Sequence, residues 1–476
     1  MNKTNIIVTI GPSSNTKEVI KDLILGGASV FRINLNYADH SFCRDVISKI
    51  RDVDKELDTC SAIMFDTVGP DVKTGKFVNG KASFSEGVKI RVYNNEVLGD
   101  ETKLYIDYYD LIDGVRCNSL IKLNNGKVVL DVLDKGPDYL LCEVIIGGEV
   151  IDNSSVHLEE VRLPFLSNKD REDIIFANEM DVDFLALSLV SSTEDVLDVN
   201  DLLIELGNDH MSIISKVERQ SAIDEIDDII RVSDGIMLTR GDLGVDIPIE
   251  RIPGIQKMVI NKCHYSNKIS IVATGILTSM EDSLIPTRAE VSDIANAVLD
   301  GVDAIMLSLE TMKGHYPIEA LNVMKKVIMA TELDIDYVDL LERSLRSDNG
   351  DITGGLAYSV CELATRLDCK CIVAPTISGY TAKKISRFRP KCLVIALSPD
   401  IKTVRSLKLH FGVYPILIKE LKTLDDTINK SREIVLKYMN LKSDDKIIIT
   451  GGYPFSKTKH TNFIKIEEIW GELCII

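Results

Sequence analysis

Lys216 and Glu218 stand two residues apart at the end of a β-branched run that begins at Ser212. In extended chain, residues i and i+2 share a face, so an ammonium and a carboxylate lie side by side there. Asp242 follows the next such run. Two carboxylates from neighbouring strands can hold Mg²⁺ (or Mn²⁺), with water and substrate oxygens completing an octahedron. A lysine beside that metal would stabilise the charge on a transferring phosphoryl group. Arg32, near the end of another run, could clamp the same phosphate through its planar fork. More polar groups end other runs: Asn34, Asp66-Thr67, Arg240-Gly241, Thr274 and Glu310. Any one pair could be a structural ion pair. Six strand ends converging on one rim point instead to a reaction site.

The elements that must position these groups are short β-branched runs at 5–10, 30–34, 61–66, 184–188, 212–216, 235–238, 269–274 and 304–307. Helical patterns separate them. This alternation predicts an α/β fold, a closed (β/α)₈ TIM barrel with its reacting groups at the carboxyl ends of the strands. One intervening helix should cover the barrel with Ile255, Met258, Val259 and the stem of Lys262. The alternation stops between Asp71 and about Glu160 and resumes at Leu163. That stretch is rich in Val, Ile and Tyr, with turn pairs Asn79-Gly80, Asn125-Gly126 and Gly147-Gly148. It predicts a small inserted all-β domain, a β-barrel lid. A second α/β unit follows, with strands expected at 371–374, 392–397, 412–416 and 446–450. The expected domains are thus 1–70 with 161–344, 71–160, and 345–476.

Composition narrows the function. Lys plus Arg is 55 and Asp plus Glu is 73, a formal net charge of −18. Nucleic-acid backbones and anionic membranes call for a positive field, so neither is an expected partner. No apolar run approaches the ~18 residues of a membrane span. No basic segment followed by a long apolar stretch marks a signal peptide. Ten cysteines are scattered without a Cys-x-x-Cys pair; even Cys369 and Cys371 lie on an apolar strand pattern. They read as buried thiols of a reducing cytoplasm.

Taken together, several segments resemble the pyruvate kinase family over nearly the whole chain. They are Thr9-Ile10-Gly11-Pro12, Asp66-Thr67-Val68-Gly69-Pro70, Ile214-Ser215-Lys216-Val217-Glu218, Arg240-Gly241-Asp242-Leu243-Gly244, Pro286-Thr287-Arg288-Ala289-Glu290 and Asn296-Ala297-Val298-Leu299-Asp300-Gly301. The resemblance implies that phosphoenolpyruvate and ADP become pyruvate and ATP, the last step of glycolysis. It gives Lys216 the phosphoryl transition state, and it gives Glu218 and Asp242 the Mg²⁺. Arg32, Gly241, Asp242 and Thr274 would contact substrate, with Thr274 near the carbon that is protonated. Asn34, Asn36, Asp66 and Thr67 would hold K⁺, and Asn34 and Lys73 would serve the nucleotide. A homotetramer is implied, or a hetero-oligomer with a paralogue.

The departures fall mostly on the nucleotide side. Asn36, Tyr37 and Ala38 replace a serine, a histidine and a glycine. Val68 replaces a lysine, Asp71 a glutamate and Lys73 an arginine, the last with loss of a bidentate fork. Ser191 stands for an arginine, Gly275 for a glutamine, Leu309 for a glycine and Ser154 for a lysine, and Asn124-Asn125-Gly126 lacks an acidic pair. One reading is an active kinase with altered nucleotide affinity. The other is an impaired paralogue acting as a regulatory subunit. In the third domain, Thr376, Ser378, Gly379 and Thr381 follow a strand and open a helix. They could form an effector phosphate site, aided by Lys457 and Lys459, or a plain N-cap turn.

Overall fold

The structure, a computed structural model, describes residues 1–70, 72–108, 110–124, 126–158, 165–345, 350–420, 423–453 and 461–469. Asp71, Asn125, Glu160, Leu163, Lys457 and Lys459 lie outside the described residues. The chain divides into two compact units. One comprises Met1–Thr67, Asp170–Leu243 and Ile249–Ile476; the other comprises Val68–Lys169 and Gly244–Pro248.

The first unit holds the expected (β/α)₈ barrel. Its strands are β1 (Asn5–Thr9), β2 (Val30–Asn34), β3 (Ala62–Asp66), β4 (Phe184–Leu187), β5 (Ser212–Val217), β6 (Gly235–Thr239), β7 (Ile269–Ala273) and β8 (Ala304–Leu307). They close in sequence order, and β1 pairs with both β2 and β8, all in parallel. Each strand is buried along almost its whole length, because the barrel packs one face and the helices cover the other. Ile7, Met64, Phe184, Ile214, Met237, Ile271 and Met306 fill the interior. The helix His40–Leu57 shows how the outer layer is written. Asp39 caps it, accepting from the Phe42 amide, and Cys43, Val46, Ile47, Ile50 and Val53 form its buried stripe. Each such aliphatic side chain contributes about 1.5–3 kcal/mol on burial.

The helix Ile252–Tyr265 differs from expectation. Its buried face is Ile252, Ile255, Gln256, Val259, Ile260 and Cys263. Met258 is only half-buried, and Lys262 turns to an ion pair with Asp227. The i+3 position was read as core, but the stripe runs through i+1, i+4, i+5 and i+8 from Ile255.

The amino ends of the strands carry a repeat that the motif reading passed over. Asp183, Asp234 and Asp303 immediately precede β4, β6 and β8. Each accepts the backbone amide of a residue on the preceding strand: Ile63 at 2.8 Å, Ile213 at 2.9 Å and Ser270 at 2.9 Å. The other oxygen of Asp303 takes Arg389 Nη1 at 2.6 Å. The carboxylates therefore satisfy amides that would otherwise end the sheet unpaired.

The C-terminal sheet contains β9 (Cys371–Pro375), β10 (Leu393–Ser398), β11 (Val413–Leu417), β12 (Lys446–Gly451) and β13 (Phe463–Glu468), in the order β11-β10-β9-β12-β13. Four match the expected strands. β13 was not foreseen; it is an antiparallel edge strand whose exposed Lys465 and Ile466 hide the usual pattern. Leu341 of the helix Tyr337–Leu345 packs into this sheet's core.

Among the described residues the second unit is all-β, as expected, apart from the short helix Leu111–Gly114 and helix ends at 168–169 and 244–246. It has a seven-stranded sheet and a two-stranded one. Gly80 and Gly126 adopt φ of 72° and 79° in their turns. Gly147-Gly148 is no hairpin. It carries the chain from one sheet to the other, and a Cβ on Gly147 would sit 2.7 Å from the Phe84 carbonyl oxygen. Among the described residues every cysteine is free, and no helix is long and apolar enough to cross a membrane.

Candidate active site

Asp66 is the hub of the barrel's carboxyl rim. It ends β3 and is buried. Its Oδ2 takes Arg32 of β2, with Nε at 2.6 Å and Nη2 at 2.5 Å. Its Oδ1 takes the Lys216 ammonium of β5 at 3.1 Å. Arg32 Nη1 also donates to Thr9 Oγ1 at 3.0 Å. Lys216 reaches Glu218 Oε1 at 3.0 Å, as the two-residue spacing requires. It also donates to Ser188 Oγ at 2.7 Å. Glu218 is fixed in turn by the Leu189 amide at 2.7 Å and by Thr239 Oγ1 at 3.1 Å.

The charges set each other. Burial alone would lift the Asp66 carboxyl, but Arg32 and then Lys216 hold it below the ordinary range. Burial alone would lower the Lys216 ammonium, but Asp66 and Glu218 hold it above its usual value. Asp242 behaves differently. It opens toward solvent, and among the described residues it makes no hydrogen bond or ion pair. The protein mass around it, and then the Glu218 charge, push its carboxyl up to about 6. A carboxylate left without a partner beside a second carboxylate is a donor set suited to a divalent cation. No three His, Cys, Asp or Glu side chains among the described residues form a closed metal cage.

Asn34 and Asp66 face each other in register across β2 and β3. Asn34 Oδ1 accepts the Asn36 amide at 3.0 Å. Thr67 is buried, its Oγ1 takes the Ser188 amide at 3.2 Å, and its carbonyl takes the Ser188 hydroxyl at 2.6 Å. Asn34, Asn36, Asp66 and Thr67 thus share one corner of the rim. Thr274 follows β7 and lies beside the sixth strand's exit: its Oγ1 accepts the Gly241 amide at 2.9 Å. A Cβ on residue 241 would come within 3.3 Å of that oxygen. Glu310 does not join the charged cluster. It is buried, and it accepts the amides of Leu277 at 3.0 Å and Ser308 at 2.7 Å.

Three contributors were missed in the sequence. Ser188, Thr239 and the Leu189 amide orient Lys216 and Glu218. Ser188 was already placed as the last residue of a barrel run, and that position was its available signal. Leu189 has φ of 59°, which no side-chain pattern announces.

The family model described as "Pyruvate kinase, barrel domain" matches residues 1–321. The one described as "Pyruvate kinase, alpha/beta domain" matches residues 355–467. The chain is 39% identical to a pyruvate kinase of Clostridium perfringens over 475 residues, covering 98% of this chain and all of that one. It is 38% identical to a pyruvate kinase of Sporosarcina psychrophila, covering 98% of this chain and 81% of the relative. The chain belongs to the pyruvate kinase family. The crystal structure of a pyruvate kinase from Cryptosporidium parvum superposes with a TM-score of 0.92 at 33% identity, over 98% of this chain and 96% of that one.

Lys73 and Ser154 belong to the second unit. Lys73 lies on a strand in register with Ser155. Ser154 is buried, and its hydroxyl donates to the Ile151 carbonyl at 2.8 Å within a turn. In the C-terminal sheet, Gly379 takes φ of 76° at the start of the helix Tyr380–Arg387. Ser378 is exposed, Thr376 is half-buried, and the Thr381 hydroxyl is engaged inward with Thr461 at 2.9 Å.

Proposed function

We infer that this chain transfers the phosphoryl group of phosphoenolpyruvate to ADP, giving pyruvate and ATP. The observation that carries this is the buried Arg32–Asp66–Lys216–Glu218 network beside an unpartnered Asp242. In the transfer, the bond from phosphorus to the enol oxygen breaks and a bond to the terminal oxygen of ADP forms. The electron pair stays on the enol oxygen, and the resulting enolate takes a proton on carbon. Arg32 and Lys216 present fixed positive charge to the transferring phosphoryl group. Asp66 keeps both in place without neutralising their outward faces. Gly241 and Thr274 contact the organic part of the substrate, with Thr274 beside the carbon that gains the proton.

Glu218 and Asp242 would hold Mg²⁺ (or Mn²⁺), which supplies charge against the phosphoryl and enolate oxygens. Asn34, Asn36, Asp66 and Thr67 would hold K⁺. Asn34 and Lys73 serve the nucleotide. The intact rim favours turnover over the reading as a regulatory paralogue. We further propose a cytoplasmic homotetramer and the three-domain division at 1–70 with 161–344, 71–160 and 345–476. The loop Thr376, Ser378, Gly379 is retained as an effector phosphate site, with Thr381 as its inner support.

The test is a coupled pyruvate assay of the purified protein alone, with Mg²⁺ and K⁺ present. Turnover is expected, and its absence overturns the reading. Paramagnetic relaxation with Mn²⁺ checks the metal residues: Asp242→Ala should abolish binding, and equal binding by variant and wild type would misplace the site.

A further inference from the structure

The structure assigns Arg240 a positioning role for Thr274, a role that rests on the reaction inferred above. Thr274 is a β-branched residue at φ 64°, and Gly275 follows it at φ 66°. A threonine there is a steric outlier, and it relaxes to negative φ unless its surroundings hold it. Two successive residues supply the hold. Gly241 donates its amide to Thr274 Oγ1 at 2.9 Å. Arg240 Nη2 donates to the Thr274 carbonyl at 3.1 Å and lies 3.5 Å from the Gly275 carbonyl. The same guanidinium is anchored on its other side. Nη1 donates to Asp293 Oδ1 at 2.6 Å, on the helix Arg288–Leu299, and lies 3.5 Å from Gln256 Oε1.

Arg240 is therefore a bridge between a rigid helix and a strained peptide. Its side chain is 13% exposed, so water competes weakly for these bonds. The fork is what makes the bridge possible. A lysine carries one nitrogen and cannot span a carboxylate and a carbonyl in fixed geometry. With the bridge in place, the Thr274 hydroxyl is held between two backbone groups, accepting from the Gly241 amide at 2.9 Å and donating to the Ala273 carbonyl at 2.7 Å. Without it, the peptide can turn over and take the hydroxyl away from the carbon that gains the proton. A small displacement at a reacting group costs much more in rate than in binding.

The experiment is a double-mutant cycle with Arg240→Lys and Thr274→Ala. It reads kcat, KM for phosphoenolpyruvate, and the exchange of pyruvate methyl protons for deuterium by NMR. Arg240→Lys should lower kcat and exchange together by about 10- to 150-fold, the loss of one charge-assisted bond. KM should move less. On the Thr274→Ala background the same substitution should add little, because it acts through Thr274. Asp293→Asn, which weakens the anchor by removing its charge and leaves the bond from Arg240 to the Thr274 carbonyl, should act in the same direction but less, and it serves if Arg240→Lys fails to fold. Unchanged exchange in Arg240→Lys, or full additivity with Thr274→Ala, overturns the role. A wild type that shows neither turnover nor exchange overturns the reaction itself and leaves this inference without its base.

Discussion

The two ends of one barrel carry two buried ionic clusters of similar make-up and opposite design. At the amino ends, Asp303 accepts the Ser270 amide and hydroxyl, Arg389 Nη1 and, at 3.3 Å, the Phe411 amide. Both of its oxygens are used, and its carboxyl is held low against burial by Arg389. At the carboxyl ends, the cluster is left unfinished. Arg32 and Lys216 face Asp66 and Glu218, but the Asp242 side chain makes no hydrogen bond or ion pair among the described residues. A saturated acid ties elements together. An unsaturated one keeps a place for something that arrives. The residue types do not separate the two; the bond count does, and it matches the division of (β/α)₈ barrels into a stability face and a reaction face.

The comparison breaks most sharply at Lys216. Its removal should lower kcat by about 10³-fold, as for loss of a fixed donor to a developing charge. The unfolding temperature should change little, because Asp66 keeps Arg32 and Glu218 keeps Leu189 and Thr239. Steady-state kinetics and a thermal melt of Lys216→Met test both halves of the statement. Activity close to wild type would remove the lysine from the mechanism.

Asp303→Ala should do the reverse. It leaves Arg389 buried without its partner, and breaking such a pair costs about 3–5 kcal/mol. Stability should fall by that order in urea unfolding, while kcat of the folded protein stays as in wild type. A stable Asp303→Ala would mean that the amino-end cluster is not what ties Arg389, in the loop after the helix Tyr380–Arg387, to the barrel.

The same end should respond to acid. His264 bonds the Ser344 hydroxyl and the Arg387 carbonyl, each at 2.8 Å. Burial, and then the Arg389 charge, push its pKa down to about 4 from the ordinary 6.5, against the pull of Asp303. The unfolded chain therefore binds a proton between these values that the folded chain refuses. The stabilisation is complete above pH 6.5 and is lost as pH falls toward 4, at up to about 1.4 kcal/mol per pH unit. His410, pushed down to about 3 by burial, acts in the same direction. Melting temperature against pH should therefore slope less steeply for His264→Gln than for wild type. Identical slopes would remove His264 from the effect.

Much of this was legible before the fold was seen. The barrel strands were readable because a strand buried on both faces is a continuous β-branched run. Lys216 with Glu218 was readable because a period of two decides which side chains meet. The Asp183, Asp234 and Asp303 repeat was also in plain view, but single acids before strands carry no pattern until their amide partners are known. Arg240 was named without a role, because its task depends on a positive φ at Thr274. The helix Ile252–Tyr265 was misread by one position, since four candidate residues cannot fix the phase of a stripe that also buries Gln256.

The smallest effect lies in the second unit, at Lys73 and Ser154. Sequence alone suggests restoring a fork at Lys73 and a charge at Ser154. The structure separates these two positions. Ser154 is buried; it closes a turn through Ile151, and its amide donates to Thr74 Oγ1 at 3.0 Å. A lysine there must give up those bonds to reach solvent, so Ser154→Lys should loosen the turn more than it helps a nucleotide. Lys73 is half-buried on a strand whose pairing runs through the backbone, and its side chain can change without breaking that pairing. Lys73→Arg adds a fork that can grip two phosphate oxygens, and a gain of about 2- to 10-fold in ADP affinity is expected. Phosphoenolpyruvate affinity should not move, because Arg32 and Thr274 are untouched. Paired titrations of ADP and phosphoenolpyruvate on one preparation, at fixed Mg²⁺, make the comparison. Equal ADP affinity in Lys73→Arg and wild type would show that this lysine already does what an arginine would. A parallel change in phosphoenolpyruvate affinity would show instead that the effect of the substitution is not confined to the nucleotide.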